Sequence, residues 1–315
     1  MATVRAETSI NLIDPAVWYG DLVAAYSNEI EVSDGYLTAV YSGYGFQFSG
    51  DYLVGGTLTG FEQYDPYGLQ YGIYDFAVSA SLAASYLENN DTQGLYSLAL
   101  SGRDTVYGSS VDDDLAGYSG NDIFYGGGGQ DYVDGGSGVD MVIYDHPGDD
   151  YVVDIFSGNM IVSDLYSNDA DNLVSVERLG FTDGTLAFDE GAAQNYRLYQ
   201  AAFGRTPDKA GLSYWVDHMD DGGTLLSAAG NFLGSAEFQG LYGSNPTSAE
   251  YVNLLYLNVL GREADQGGYD YWLGAMSSGL GRDSVLVEFS ESFENRDNVA
   301  SEIASGIWLD YYVTV

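Results

Sequence analysis

Between Gly102 and Asp145, aspartate recurs at positions 104, 113, 122, 131 and 140, an unbroken spacing of nine. Two residues after each comes an apolar side chain: Val106, Leu115, Phe124, Val133 and Val142. Glycine precedes the last four aspartates by five positions, at Gly108, Gly117, Gly126 and Gly135. A second glycine precedes by two at Gly102, Gly120, Gly129 and Gly138, with Val111 as the exception. Three columns in one register imply a loop of about six residues alternating with a strand of about three, each strand sending one large apolar side chain inward. Two such units make one coil of a parallel β-roll.

Successive loops then fall on opposite sides, so Asp104, Asp122 and Asp140 should line one side, and Asp113 with Asp131 the other. Glycine lets the backbone turn with φ > 0 and aim carbonyls at a common point, while aspartate supplies a hard anionic oxygen; calcium is the ion that wants such ligands. The candidate ligands are the five aspartates with the loop positions Gly117, Ser119, Gly120, Gly126, Gly128, Gly129, Gly135, Ser137 and Gly138. About three ions are expected, each between two stacked loops. The Asp104 and Asp113 loops should be weakest, because Ala99, Leu100 and Ser109 replace glycines there. Asp149 is also nine on, but Pro147 stands where the second glycine would be, and its site is discounted.

The segments Gly126–Asp134 and Gly135–Ile143 resemble the RTX (haemolysin-type) calcium-binding repeat, whose consensus is GGxGxDxUx with U apolar. The resemblance implies Ca2+ as cofactor, folding on arrival at extracellular calcium, and passage through type I secretion machinery by an uncleaved C-terminal signal. The end of the chain, from Trp308 to Val315, is similar to such signals. Met1 to Ile10 shows neither the basic region nor the apolar run of a cleaved leader, so a secreted, extracellular or cell-surface location by that other route is expected. The stretch Asp171 to Asp189, with Leu173, Val174, Val176, Leu179, Phe181 and Leu186, resembles the strands that close such rolls.

Charge narrows the function classes. Nine basic against 47 acidic side chains give 9 − 47 = −38, the reverse of a nucleic-acid binder. No stretch approaches the ~20 apolar residues of a transmembrane helix. With no cysteine and only His146 and His218, thiol chemistry is excluded and imidazole chemistry has few places to occur. There is no HExxH or GxSxG, and the region before the roll, about 97 residues, is small for a polysaccharide-cleaving domain. Catalysis is not expected.

Past Gly191 the texture becomes helical and duplicated: Tyr199, Gly204, Arg205, Asp208, Gly211, Tyr214 and Trp215 recur, at one constant offset, as Tyr256, Gly261, Arg262, Asp265, Gly268, Tyr271 and Trp272. Thr206–Pro207 reads as a helix start and Thr247 with Glu250 as a capping box. This pattern resembles an uncharacterised helical domain appended to RTX proteins, itself similar to phycobilisome linker domains. Arg205/Asp208 and Arg262/Asp265 read as fold-defining turns, with a ligand-binding loop as the alternative, and Trp215 and Trp272 as core. Near the N-terminus, Ile30, Val32, Tyr36, Thr38, Val40, Tyr44, Phe46, Phe48, Leu53, Val54, Leu58 and Phe61 suggest short strands separated by glycine breaks, followed by helix over residues 75–100.

The expected fold class is multidomain α+β: an N-terminal β-rich, tyrosine-rich domain (1–97), a central parallel β-roll with closing strands (98–190), an all-α duplicated domain (191–305) and a secretion-signal tail (306–315). The function expected is a calcium-dependent structural or adhesive protein of a surface layer, matrix or fibre, its partner another copy or a cell-surface glycan. A carbohydrate-binding attachment module and an extracellular enzyme with an unrecognised carboxylate site are the alternatives.

Overall fold

The structure is a computed structural model and describes residues 1–15 and 20–310. It divides into two compact units, residues 1–182 and residues from Asp183 onward. No helix among the described residues is long and apolar enough to cross a membrane. The architecture is α+β, with a parallel roll at the nonapeptide repeats and a helical C-terminal region.

In the first unit, strand β1 (Thr3–Ala6) is followed by an antiparallel series: β2 (Asp21–Ala25), β3 (Glu29–Ser33), β4 (Thr38–Ser49), β5 (Tyr52–Asp65) and β6 (Gly68–Ser79). The strands are longer than the glycine breaks suggest. Gly43 and Gly45 lie inside β4 and Gly55, Gly56 and Gly60 inside β5, where they produce register shifts rather than ends. Gly56 shows why: its φ is +110°, and a Cβ there would lie 2.8 Å from the Gly45 carbonyl oxygen. Residues 75–79, expected as helix, complete β6, with Phe76 and Val78 buried and Ala77 and Ser79 exposed in strand alternation. Tyr36 sits in an exposed turn. Helices α1 (Ala80–Glu88) and α2 (Thr92–Ala99) follow, and Tyr96 of α2 reaches an aromatic cluster of Tyr41, Phe61 and Tyr71.

The roll strands are β7 (Thr105–Tyr107), β8 (Asp114–Ala116), β9 (Ile123–Tyr125), β10 (Tyr132–Asp134) and β11 (Met141–Ile143). The chain then leaves through the hairpin β12 (Tyr151–Phe156) and β13 (Asn159–Asp164), returning as β14 (Ala170–Val174) and β15 (Arg178–Phe181). Parallel pairing joins β7, β9, β11 and β15 on one side and β8, β10 and β14 on the other. Asp149 lies in a short 3-10 turn outside both ladders.

The expected division at residue 97 does not appear, because β1 pairs antiparallel with β6 and parallel with β7. Asn11 bridges Asp114, so the start of the chain, through Leu12, forms an additional rung on the roll. Two inward columns result: Val4, Val106, Phe124, Val142 and Leu179; and Leu12, Leu115, Val133 and Leu173. None is more than 1% exposed. Fully burying each such side chain contributes roughly 1.5–3 kcal/mol.

In the second unit, β16 (Gly184–Ala187) pairs with β17 (Ile307–Leu309), so Leu186 and Trp308 stand opposite each other and the start of the expected tail is a strand. Residues 311–315 of that tail lie outside the described residues. Between these strands come α3 (Glu190–Phe203), α4 (Lys209–Asp220), α5 (Leu225–Gly234), α6 (Ala236–Tyr242), α7 (Ser248–Asn258), α8 (Gln266–Ser277), α9 (Arg282–Ser290) and α10 (Phe293–Ile303). The starts of α4, α5 and α6 recur, at the same offset as the sequence duplication, as those of α8, α9 and α10. The Thr247–Glu250 capping box closes the start of α7. Helix α4, however, begins two positions past Pro207, since Asp208 accepts from the Gly211 N–H at 2.8 Å and is the cap.

Candidate metal centre

The five repeating aspartates are 0–3% exposed. On one side of the roll Asp122 Oδ1 accepts from the Asp104 N–H at 2.7 Å and Asp140 Oδ1 from the Asp122 N–H at 2.7 Å. On the other, Asp131 Oδ1 accepts from the Asp113 N–H at 3.0 Å. Each carboxylate therefore holds the rung before it with one oxygen. The ladder extends beyond the repeats: Asp104 accepts from the Ala2 N–H, and Asp113 from the Ile10 N–H at 2.7 Å. At the far end Asp171 takes the Asp131 N–H at 3.0 Å and Glu177 the Asp140 N–H at 2.9 Å.

The second oxygen separates Asp104, Asp122 and Asp140 from Asp113 and Asp171. Oδ2 of Asp104, Asp122 and Asp140 is buried with no hydrogen-bond partner. Asp113 Oδ2, by contrast, accepts from the Ser109 N–H at 2.6 Å and lies 3.0 Å from its hydroxyl, and Asp171 Oδ2 accepts from the Tyr144 hydroxyl at 3.1 Å. A buried anionic oxygen without a partner is costly. Burial accordingly pushes the carboxyls up, Asp122 and Asp131 to about 7 and Asp140 to about 8, with Asp104 also raised.

The glycine columns serve two purposes. Gly102, Gly120, Gly129 and Gly138 have φ between +106° and +147°, which side chains of L-residues rarely adopt. Gly108, Gly117, Gly126 and Gly135 instead give space. A Cβ on Gly117 would lie 2.3 Å from Asp122 Oδ2 and 2.7 Å from the Gly135 carbonyl oxygen; one on Gly126 would lie 2.2 Å from Asp131 Oδ2. At Gly117, oxygens of a carboxylate and of the next rung's backbone thus converge on one point. Ser119 pairs in parallel with Ser101 and Ser137, its carbonyl accepting from Gly102, while the Gly128 amide reaches the Ser109 carbonyl at 3.2 Å. Tyr118 takes a left-handed φ of 63° where the later repeats carry Gly127 and Gly136.

No three Asp, Glu or His side chains among the described residues form a metal cluster. The donor set is one carboxylate oxygen with backbone carbonyls, hard oxygens that fit calcium and offer soft metals nothing. Ala2, Ile10, Asp171 and Glu177, which extend the ladder, carry no periodic signal. His146 and His218 lie in different units, the first 3.4 Å from the Tyr151 hydroxyl and the second 2.7 Å from that of Ser227.

The helical motif closes on itself. Arg205 Nε donates to Glu237 at 2.7 Å and Arg262 Nε to Glu294 at 2.6 Å, another pair related by the duplication. Each guanidinium lies over its own tyrosine, Tyr199 or Tyr256, at 5.0 Å. Trp215 packs edge-on to Phe232 and Trp272 against Phe289.

Two family models match separate parts of the chain. The RTX calcium-binding nonapeptide repeat (4 copies) matches residues 107–142, so calcium is the ion of this motif. The domain of unknown function DUF4214 matches residues 195–225 and 229–299. No curated protein matches the chain. Among solved structures, the extracellular lipase LipA from Serratia marcescens aligns with 18% identity over 27% of this chain and 17% of its own length, at a TM-score of 0.24.

Proposed function

We propose that the chain is a secreted calcium-binding structural or adhesive protein, exported by type I machinery, that folds on extracellular calcium and self-associates or attaches at a cell surface. Calcium is assigned to Asp104, Asp113, Asp122, Asp131 and Asp140 together with carbonyls of the loops holding Gly117, Ser119, Gly120, Gly126, Gly128, Gly129, Gly135, Ser137 and Gly138. The observation that carries the reading is the row of buried, unpartnered Oδ2 atoms at Asp104, Asp122 and Asp140. A divalent cation supplies the missing partner and counter-charge; without it, the stacked carboxylates oppose folding. Extracellular modules bind calcium at ~10⁻⁴–10⁻³ M, so the roll stays open where calcium is scarce and closes outside.

Self-association is supported by the terminal strands of the two sheets. Strand β2 exposes Leu22 and Val23, and β12 exposes Val152, Ile155 and Phe156, both at edges whose outer side is unpaired among the described residues. Such edges invite another strand. No catalytic role is part of this reading. Sedimentation with millimolar calcium should show assemblies that a chelator disperses. A calcium-loaded chain that stays monomeric at high concentration overturns self-association and leaves glycan attachment, for which exposed Tyr36, Tyr44, Tyr52 and Tyr67 offer stacking faces.

A further inference from the structure

The combined glycine and aspartate pattern stops at Asp140, but the structural rung does not. Val174 pairs with Asp134 and Arg178 with Met141, so Ser175 stands opposite Gly135 and Glu177 opposite Asp140. The loop between those strands is 175–177 here and 135–140 in the rung before it. Glu177, one methylene longer than aspartate, spans the shortened loop and accepts from the Asp140 N–H, as Asp140 accepts from Asp122.

The oxygen arrangement beside Gly117 recurs at this end. A Cβ on Gly135 would lie 2.1 Å from the Ser175 carbonyl oxygen and 2.7 Å from Asp140 Oδ2, which is fully buried and has no hydrogen-bond partner. Ser175 itself has φ 51°, a left-handed conformation uncommon outside glycine. That conformation is where an observed outlier suggests a functional constraint: it accompanies a carbonyl turned toward the Asp140 carboxylate.

We propose that a further calcium site closes the roll, built from Asp140 Oδ2 and the Ser175 backbone carbonyl, and that its ion ties the non-repetitive strands β14 and β15 to the repeats. The proposal rests on the calcium reading of the repeats given above, and adds a ligand, Ser175, well beyond Val142, where the matched repeats end. The hairpin β12–β13 is inserted between the two ligands in sequence, so ordering of the 170–181 segment is conditional on the ion.

The test uses the full chain, native mass spectrometry to count calcium, and hydrogen exchange. Asp140→Asn keeps the shape and an oxygen for the Asp122 N–H but removes the anionic oxygen. It should bind one ion fewer, and amides of 172–181 should exchange at least about tenfold faster at calcium levels that still protect 105–125. Ser175→Gly, which keeps the carbonyl and suits the left-handed φ, should retain the full count. An unchanged count in Asp140→Asn, or protection of 172–181 in the wild type without calcium equal to that with it, overturns the proposal. The second measurement needs no variant, so it decides even if Asp140→Asn fails to fold. A wild-type chain that takes up no calcium at all overturns the repeat reading as well; failure at 172–181 alone leaves it standing.

Discussion

The roll and the helical region are both built from sequence repeats, but they complete their polar groups differently. In the roll each aspartate gives one oxygen to the neighbouring rung and, at Asp104, Asp122 and Asp140, leaves the other buried without a partner. In the helical region the repeated arginines have carboxylates of the same region within reach, Arg205 at Glu237 and Arg262 at Glu294, and the repeated aspartates cap helices α4 and α8. The first repeat needs something from outside the chain; the repeated arginines and aspartates of the second find their partners within their own region. Periodicity alone cannot distinguish these cases, but the fate of the polar atoms does.

The largest effect expected from this contrast follows calcium removal. With a chelator, amides of residues 105–143 should lose protection nearly completely, while those in the helices between 190 and 303 keep most of theirs. Simultaneous loss in both regions at the same calcium concentration would break the comparison, and retention in both would remove the ion from the account of folding.

A smaller contrast comes from two glycines that share a positive φ. Gly204 ends α3 with φ 63° and has open space where a Cβ would go. Gly204→Ala should therefore cost only the left-handed strain, about 1–2 kcal/mol in a thermal or urea melt, with calcium uptake unchanged. At Gly120 a Cβ would lie 1.7 Å from the Gly102 carbonyl oxygen, an overlap that requires the rungs to separate. Gly120→Ala should weaken calcium binding as well as stability, by more than the Gly204 change. Equal losses for the two, or calcium titrations that coincide with wild type, would show that rung spacing is not what the glycine column protects.

How much of this was legible in the sequence follows from the same distinction. The aspartate, glycine and apolar columns specify parallel rungs and the side on which each aspartate stands, because every rung repeats one solution. Val4 and Leu12 fill the same inward columns yet carry no flanking glycine or aspartate pattern, so the N-terminal rung was invisible. Asp171 and Glu177 were hidden because the hairpin 151–164 breaks the spacing and because Glu177 replaces loop length with side-chain length. The long strands β4 and β5 look like fragments in sequence, since a glycine within a bulge and one at a strand end have the same letter. In the helical region the duplication located the arginines but not their partners, Glu237 and Glu294, which sit on later helices.

The contrast that sharpens the comparison most is the opposite sign of pH dependence in the two regions. Burial raises Asp122 and Asp131 to about 7 and Asp140 to about 8, above the roughly 4 of an unfolded aspartate. For a carboxyl raised in the folded state the neutral form is favoured, so the metal-free roll is least stable above about pH 8 and gains stability as pH falls through 8 to 7 and on toward 4. The helical carboxylates go the other way: the Tyr199 hydroxyl holds Asp208 low, the Gly268 amide Asp265, and the Arg262 guanidinium Glu294. Their contribution is complete above the unfolded value and fades as pH drops below about 4, and solvent exposure keeps it small. Hydrogen exchange on calcium-stripped protein, corrected for the intrinsic rate at each pH, should show protection at 105–143 rising from pH 8 to 5 while that at 190–303 stays level. Protection in the roll that falls along this path would mean its carboxylates are already paired within the chain, and the roll would then be as self-sufficient as the helices.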